Sequence, residues 1–92
     1  MSTTTATVEA LADAAVNAAA ARAIRDVLRE LGVRQNECAI AAGFGPDELS
    51  QRMTGKRSFS LAEFVDIASA LGVRAPDLMD RVLSILDEEA GR

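Results

Sequence analysis

Between Gly45 and Arg57 the chain concentrates side chains that exchange hydrogen bonds and charge: Asp47, Glu48, Ser50, Gln51 and Thr54, followed by the cations Lys56 and Arg57. Such groups recognise a surface rather than break a bond. A glutamine amide presents a donor beside an acceptor and can pair with N6 and N7 of adenine, and a carboxylate can accept from the amino group of cytosine. Lysine and arginine hold phosphates whatever the base sequence. Catalysis lacks its usual means, because the chain has no histidine and a single cysteine, Cys38. The commonest general base and metal ligand is missing, and no intramolecular disulfide can form. The expectation is a protein that is not an enzyme and holds neither metal nor cofactor.

Position on a helix decides which of these side chains are available. With Leu49 as the buried centre and an advance of about 100° per residue, Met53 falls on the same inward side. Asp47, Gln51 and Thr54 then point away, with Ser50 and Glu48 at the flanks. Gln51 is the leading base reader, against the plainer reading of a solvated surface amide. Asp47 and Glu48 also read as helix-start charges, which the helix dipole favours. Arg34, Lys56 and Arg57 are candidates for phosphate contact. Arg52 lies beside the buried stripe, with a phosphate or Glu48 as its two candidate partners.

The elements that must hold this stretch follow from its punctuation. A short helix is expected from Gln35 to Ala42, with Cys38 and Ala39 inward, Cys38 as a small buried hydrophobe rather than a reactive thiol. Gly43-Phe44-Gly45 makes a corner, and Pro46 opens a helix to Met53 or Thr54, stopped by Gly55. Two helices joined by a tight corner are the grammar of a helix-turn-helix. Upstream, Ala23, Ile24, Val27, Leu28 and Leu31 form one stripe, while Val8, Leu11, Ala15 and Ala19 form a thinner one out of phase with it. The expectation is therefore a helix over about 8–19, with Thr7 as N-cap and Glu9 in its first turn, and a second over about 20–31. Leu31-Gly32-Val33-Arg34 returns as Leu71-Gly72-Val73-Arg74, two helix ends closed by one device. Ser60 and Glu63 make a capping box for a helix burying Leu61, Phe64, Ile67, Ala68 and Leu71. A final helix to about Glu89 carries Leu78, Met79, Val82, Leu83, Ile85 and Leu86, an arc wider than one core-facing stripe requires.

Ninety-two residues, 49% of them hydrophobic with three aromatics, all Phe, suit one small domain of packed helices rather than a sheet. The net charge of −4 argues weakly against a nucleic-acid partner, but residues 22–57 hold seven Arg and Lys against five acids, or +2. The positive charge thus sits on the recognition stretch. No segment approaches the ~20 apolar residues of a membrane span. The N-terminus lacks a basic start and carries Glu9 and Asp13, so it does not read as a signal peptide. A cytoplasmic protein with no membrane partner is expected.

From about Arg22 to Leu83 the chain resembles the phage repressor and Cro-type (XRE-like) helix-turn-helix family. The resemblance rests on Gln35, Glu37, Ala39, Gly43, Leu49, Ser50, Gly55-Lys56-Arg57, Ser60-Leu61 and Ala70-Leu71-Gly72-Val73. Arg52-Met53-Thr54-Gly55-Lys56-Arg57 before Phe59 is similar to forms common in actinobacteria and their phages. It implies an all-α, small five-helix lambda-repressor-like bundle over residues 22–89, with residues 1–21 as an extra alanine-rich N-terminal extension, helical from about 8. It implies that Gln35 binds a phosphate, that the helix over about 46–54 enters the major groove of double-stranded DNA, and that the loop after Gly55 follows the backbone. The chain departs from the family in Arg34, where a Ser or Thr cap is usual, in Gly45, where Ser is common, and in the acidic Asp47-Glu48 tip.

The leading expectation is a sequence-specific transcriptional regulator, a phage repressor or Cro-like protein, dimeric through its N-terminal or C-terminal helices. The alternative is a protein-interaction module on the same scaffold, such as an antitoxin or an antagonist of another regulator. The net charge, the acidic tip and the wide C-terminal apolar arc support it.

Overall fold

A computed structural model describes the backbone of residues 2–90 and the side chains of residues 13–90. Five helices follow one another: α1 (Ser2–Leu31), α2 (Gln35–Ala41), α3 (Glu48–Met53), α4 (Leu61–Ala70) and α5 (Ala75–Ala90). The described residues contain no strand. The all-α five-helix class expected from the sequence is the one observed.

The break expected between the helices over about 8–19 and 20–31 does not occur: α1 is continuous. Asn17 to Arg22 reads NAAAAR, with no Gly or Pro, and alanine is the best helix former, so nothing interrupts the ladder. The apparent phase slip has another cause. Ala15 and Val16 are exposed, and burial begins only with Ala19, Ala20 and Ala21 before passing to Ala23, Ile24, Val27 and Leu28. Asn17 and Ala19, Ala20 and Ala21, placed in an extension by sequence, therefore pack with the domain. The expectations at Thr7, Val8, Glu9 and Leu11 concern side chains outside the described residues.

α5 is the chief partner of α1 and sets Leu78, Val82 and Ile85 into the core. Fully burying a side chain of this size is worth about 1.5–3 kcal/mol, and Ile24, Ile67 and Leu78 are each at or below 1% exposure. Arg81 clasps Glu30 across the same seam with two 2.7 Å bonds, but this pair is solvated and adds little. Its guanidinium holds the Glu30 carboxyl below the usual carboxylate range.

The two Leu-Gly-Val-Arg segments close alike. Val33 N–H donates to Leu28 O at 2.9 Å and Val73 N–H to Ala68 O at 3.0 Å, with Gly32 and Gly72 at φ of 68° and 70°. These are Schellman closures, and a side chain would be strained at either glycine. The Ser60–Glu63 capping box forms as expected. Leu61, expected inward, is instead 73% exposed. As the first helical residue it precedes the turn that meets the core, and Phe64, Ile67 and Ala68 carry that face. Leu83, half exposed, also lies outside the core, whereas Met79 and Leu86 pack partly against it.

Candidate nucleic-acid interface

α2, its corner and α3 form a helix-turn-helix. At the corner Gly43, at φ 82°, lets Phe44 N–H turn back to Ala39 O at 2.9 Å. α3 then starts at Glu48 rather than Pro46: Pro46 and Asp47 form a turn, closed by Glu48 N–H donating to Gly45 O at 3.2 Å. The Glu48 carboxylate reaches back to accept the Gly45 N–H. A Cβ at position 45 would stand 2.6 Å from that carboxylate oxygen. Gly45 thus leaves room for the Glu48 carboxylate, which engages the backbone of the corner, while Asp47, the residue before α3, makes no side-chain cap.

Leu49 and Met53 are buried, as helical phase requires. The opposite face brings together Asp47, Ser50, Gln51, Thr54 and Lys56, which line one shallow surface depression. All but the half-buried Gln51 are exposed. The Thr54 hydroxyl donates to Ser50 O at 2.9 Å, which spends its proton within the helix and leaves its oxygen as an acceptor. Arg57 is exposed in the same loop, and its N–H donates to Gln51 O at 3.1 Å, tying the basic loop to the end of α3. Arg34 and Gln35 stand apart from this depression, at the start of α2. Arg34 has no acceptor with which to cap, but its N–H donates to the Glu37 carboxylate at 3.1 Å, which supplies half of a capping box.

Arg52, for which a phosphate and Glu48 were the two expected partners, is buried, and its ion pair is with neither. Its side chain is 8% exposed and pairs with Glu63 of α4, Nη2 to Oε2 at 2.9 Å. Nε lies 3.4 Å from Glu63 Oε1, and Nη1 donates to the Glu48 carbonyl oxygen at 3.1 Å. The guanidinium also lies 5.6 Å from the centre of the Phe44 ring. Its position beside the inward Leu49 and Met53 decides this, because a planar cation with five donors can be buried where a carboxylate and a helix carbonyl meet it. The Ser60 N–H foremost, and then Arg52, hold the Glu63 carboxyl below its ordinary range against desolvation.

One positioning residue escaped the sequence reading. Asn17 of α1 donates through Nδ2 to Arg52 O at 3.2 Å and accepts the Phe59 N–H on Oδ1 at 2.8 Å. It clamps both ends of the segment carrying Lys56 and Arg57. Its only sequence signal was a lone amide in an alanine run. Cys38 is buried and free, and burial raises its thiol pKa. Among the described residues no cluster suits a metal ion, and no helix is long and apolar enough to cross a membrane.

No family model and no curated protein matches the chain. Among solved structures it is similar to the crystal structure of the clp gene regulator ClgR from Corynebacterium glutamicum, with a TM-score of 0.75 at 24% identity, over 83% of this chain and 81% of that one. The likeness is one of fold: the helical architecture that presents α3 is shared across most of both chains.

Proposed function

We propose that this chain is a sequence-specific double-stranded-DNA-binding transcriptional regulator that sets α3 into the major groove. The observation that carries the reading is the outer face of α3, where Asp47, Ser50, Gln51 and Thr54 share one depression with Lys56. The regulator ClgR, of similar fold, adds a precedent for gene control on this scaffold. Gln51 reads a base, Asp47, Ser50 and Thr54 contribute polar contacts beside it, and Lys56 and Arg57 hold phosphates along the following loop. Arg34 and Gln35 add backbone contacts from the start of α2. Affinity comes from these flanks, since Asp47 repels phosphate. A phage-repressor or Cro-like role, and a dimer that doubles the few base pairs one short helix can read, belong to the same proposal.

Selection from random duplexes at stated salt tests this directly. A defined, two-fold-related site is the expected result, and Gln51→Ala relaxes preference at one base position by ~1–3 kcal/mol. Failure to enrich any sequence, or a Gln51→Ala variant with unchanged affinity and preference, refutes it. A second reading, as a protein-interaction module, draws on the exposed apolar side chains Val16 and Leu61, which line one cleft with Phe59. Stoichiometric capture of a protein partner, with no retention on DNA at low salt, would favour that module.

A further inference from the structure

α1 faces the recognition unit across a cleft lined by Asn17, Ala21 and Arg25 on one side and by Met53, Thr54, Gly55 and Ser58 on the other. Thr54 lies on both this cleft and the depression that holds Gln51 and Lys56. The cleft is therefore the lateral continuation of the reading face past the end of α3. Arg25 is exposed, and among the described residues it has no ion-pair partner, whereas Arg29, Arg52 and Arg81 each have one. Arg22, three residues earlier on the helix, lines a separate depression with Asp26, Asp80 and Glu88. One acid, Asp13, lines the cleft, but it lies twelve residues from Arg25, roughly 18 Å along the helix.

We propose that Arg25 of α1 is a DNA-backbone contact, holding a phosphate beside the Thr54–Ser58 loop while Asn17 fixes that loop in place. The inference rests on the DNA-binding reading above and extends the interface to a helix outside the helix-turn-helix. A cation next to the loop that carries Lys56 and Arg57 widens the positive margin around an acidic helix tip. The Asn17 bonds to Arg52 O and Phe59 N–H hold the loop at a set distance from α1, so that one phosphate run can meet both sides.

The test is the salt dependence of binding of the full chain to a synthetic random-sequence duplex. Each phosphate contact adds about 0.9 to the slope of log K against log salt. Arg25→Gln is expected to lower the slope by that amount, so that a fourfold rise in salt weakens the wild type roughly 3.5-fold more than the variant. Arg25→Lys keeps the wild-type slope. Arg22→Gln removes the same charge from beside Asp26, Asp80 and Glu88, outside the cleft, and leaves the slope unchanged. If the wild type binds with a salt-dependent slope that Arg25→Gln does not alter, or that Arg22→Gln lowers equally, the assignment of Arg25 is overturned and the DNA reading stands. If the wild type does not bind the duplex even at low salt, both fall together.

Discussion

The Arg52–Glu63 pair sets a sharp test of how this domain is built, because its two halves are unequally buried. The Arg52 side chain is 8% exposed and that of Glu63 26%. Glu63→Ala strands a desolvated guanidinium, which costs about 3–5 kcal/mol for a buried pair. It also removes the carboxylate that accepts the Ser60 N–H at 2.9 Å and caps α4, which costs about 1 kcal/mol more. Arg52→Met keeps most of the volume and leaves a carboxylate that water and the Ser60 N–H still satisfy. Its cost is the lost charge-assisted bonds, about 2 kcal/mol. The double variant is expected near 2–3 kcal/mol rather than the sum of roughly 6–8, giving a coupling of about 3 kcal/mol or more. For a chain of this length total stability is about 5–14 kcal/mol, so Glu63→Ala should lose a large share of it, with its melting midpoint lowered by roughly 20–40 °C. Urea titrations followed by circular dichroism give all four corners of the cycle. A refuting result is an Arg52→Met variant with an unchanged midpoint and a shallower salt slope for DNA, which would make Arg52 a phosphate contact after all.

Asn17→Ala leaves the Phe59 N–H and the Arg52 carbonyl without their partner, and should cost about 1–3 kcal/mol while speeding amide exchange at Phe59. The Glu63 carboxyl is held below its unfolded value, so its contribution is complete above that value and drains away as pH falls through the folded one. Glu63→Gln should therefore flatten the acid limb of a stability-against-pH curve. Glu30 shifts in the same direction, but it is solvated, and Glu30→Gln should leave that limb almost unchanged. Cys38, at 1% exposure with its thiol pushed up by burial, should resist thiol reagents in the native protein and react on addition of urea.

What the sequence determined by itself was local. Period and punctuation set the all-helical class, both Leu-Gly-Val-Arg closures, the corner at Gly43, the Ser60–Glu63 box and the inward turn of Leu49 and Met53. Each depends on residues within about five positions of one another, where backbone geometry leaves few alternatives. Tertiary structure alone decided the rest. It began the burial of α1 only at Ala19, left Leu61 outside the core, drew Arg52 inward to a carboxylate eleven residues away, and gave Asn17 its partners at separations of 35 and 42 residues. A side chain that can be solvated, capping or paired takes whichever partner the packed helices bring to it, and spacing along the chain carries no record of that partner.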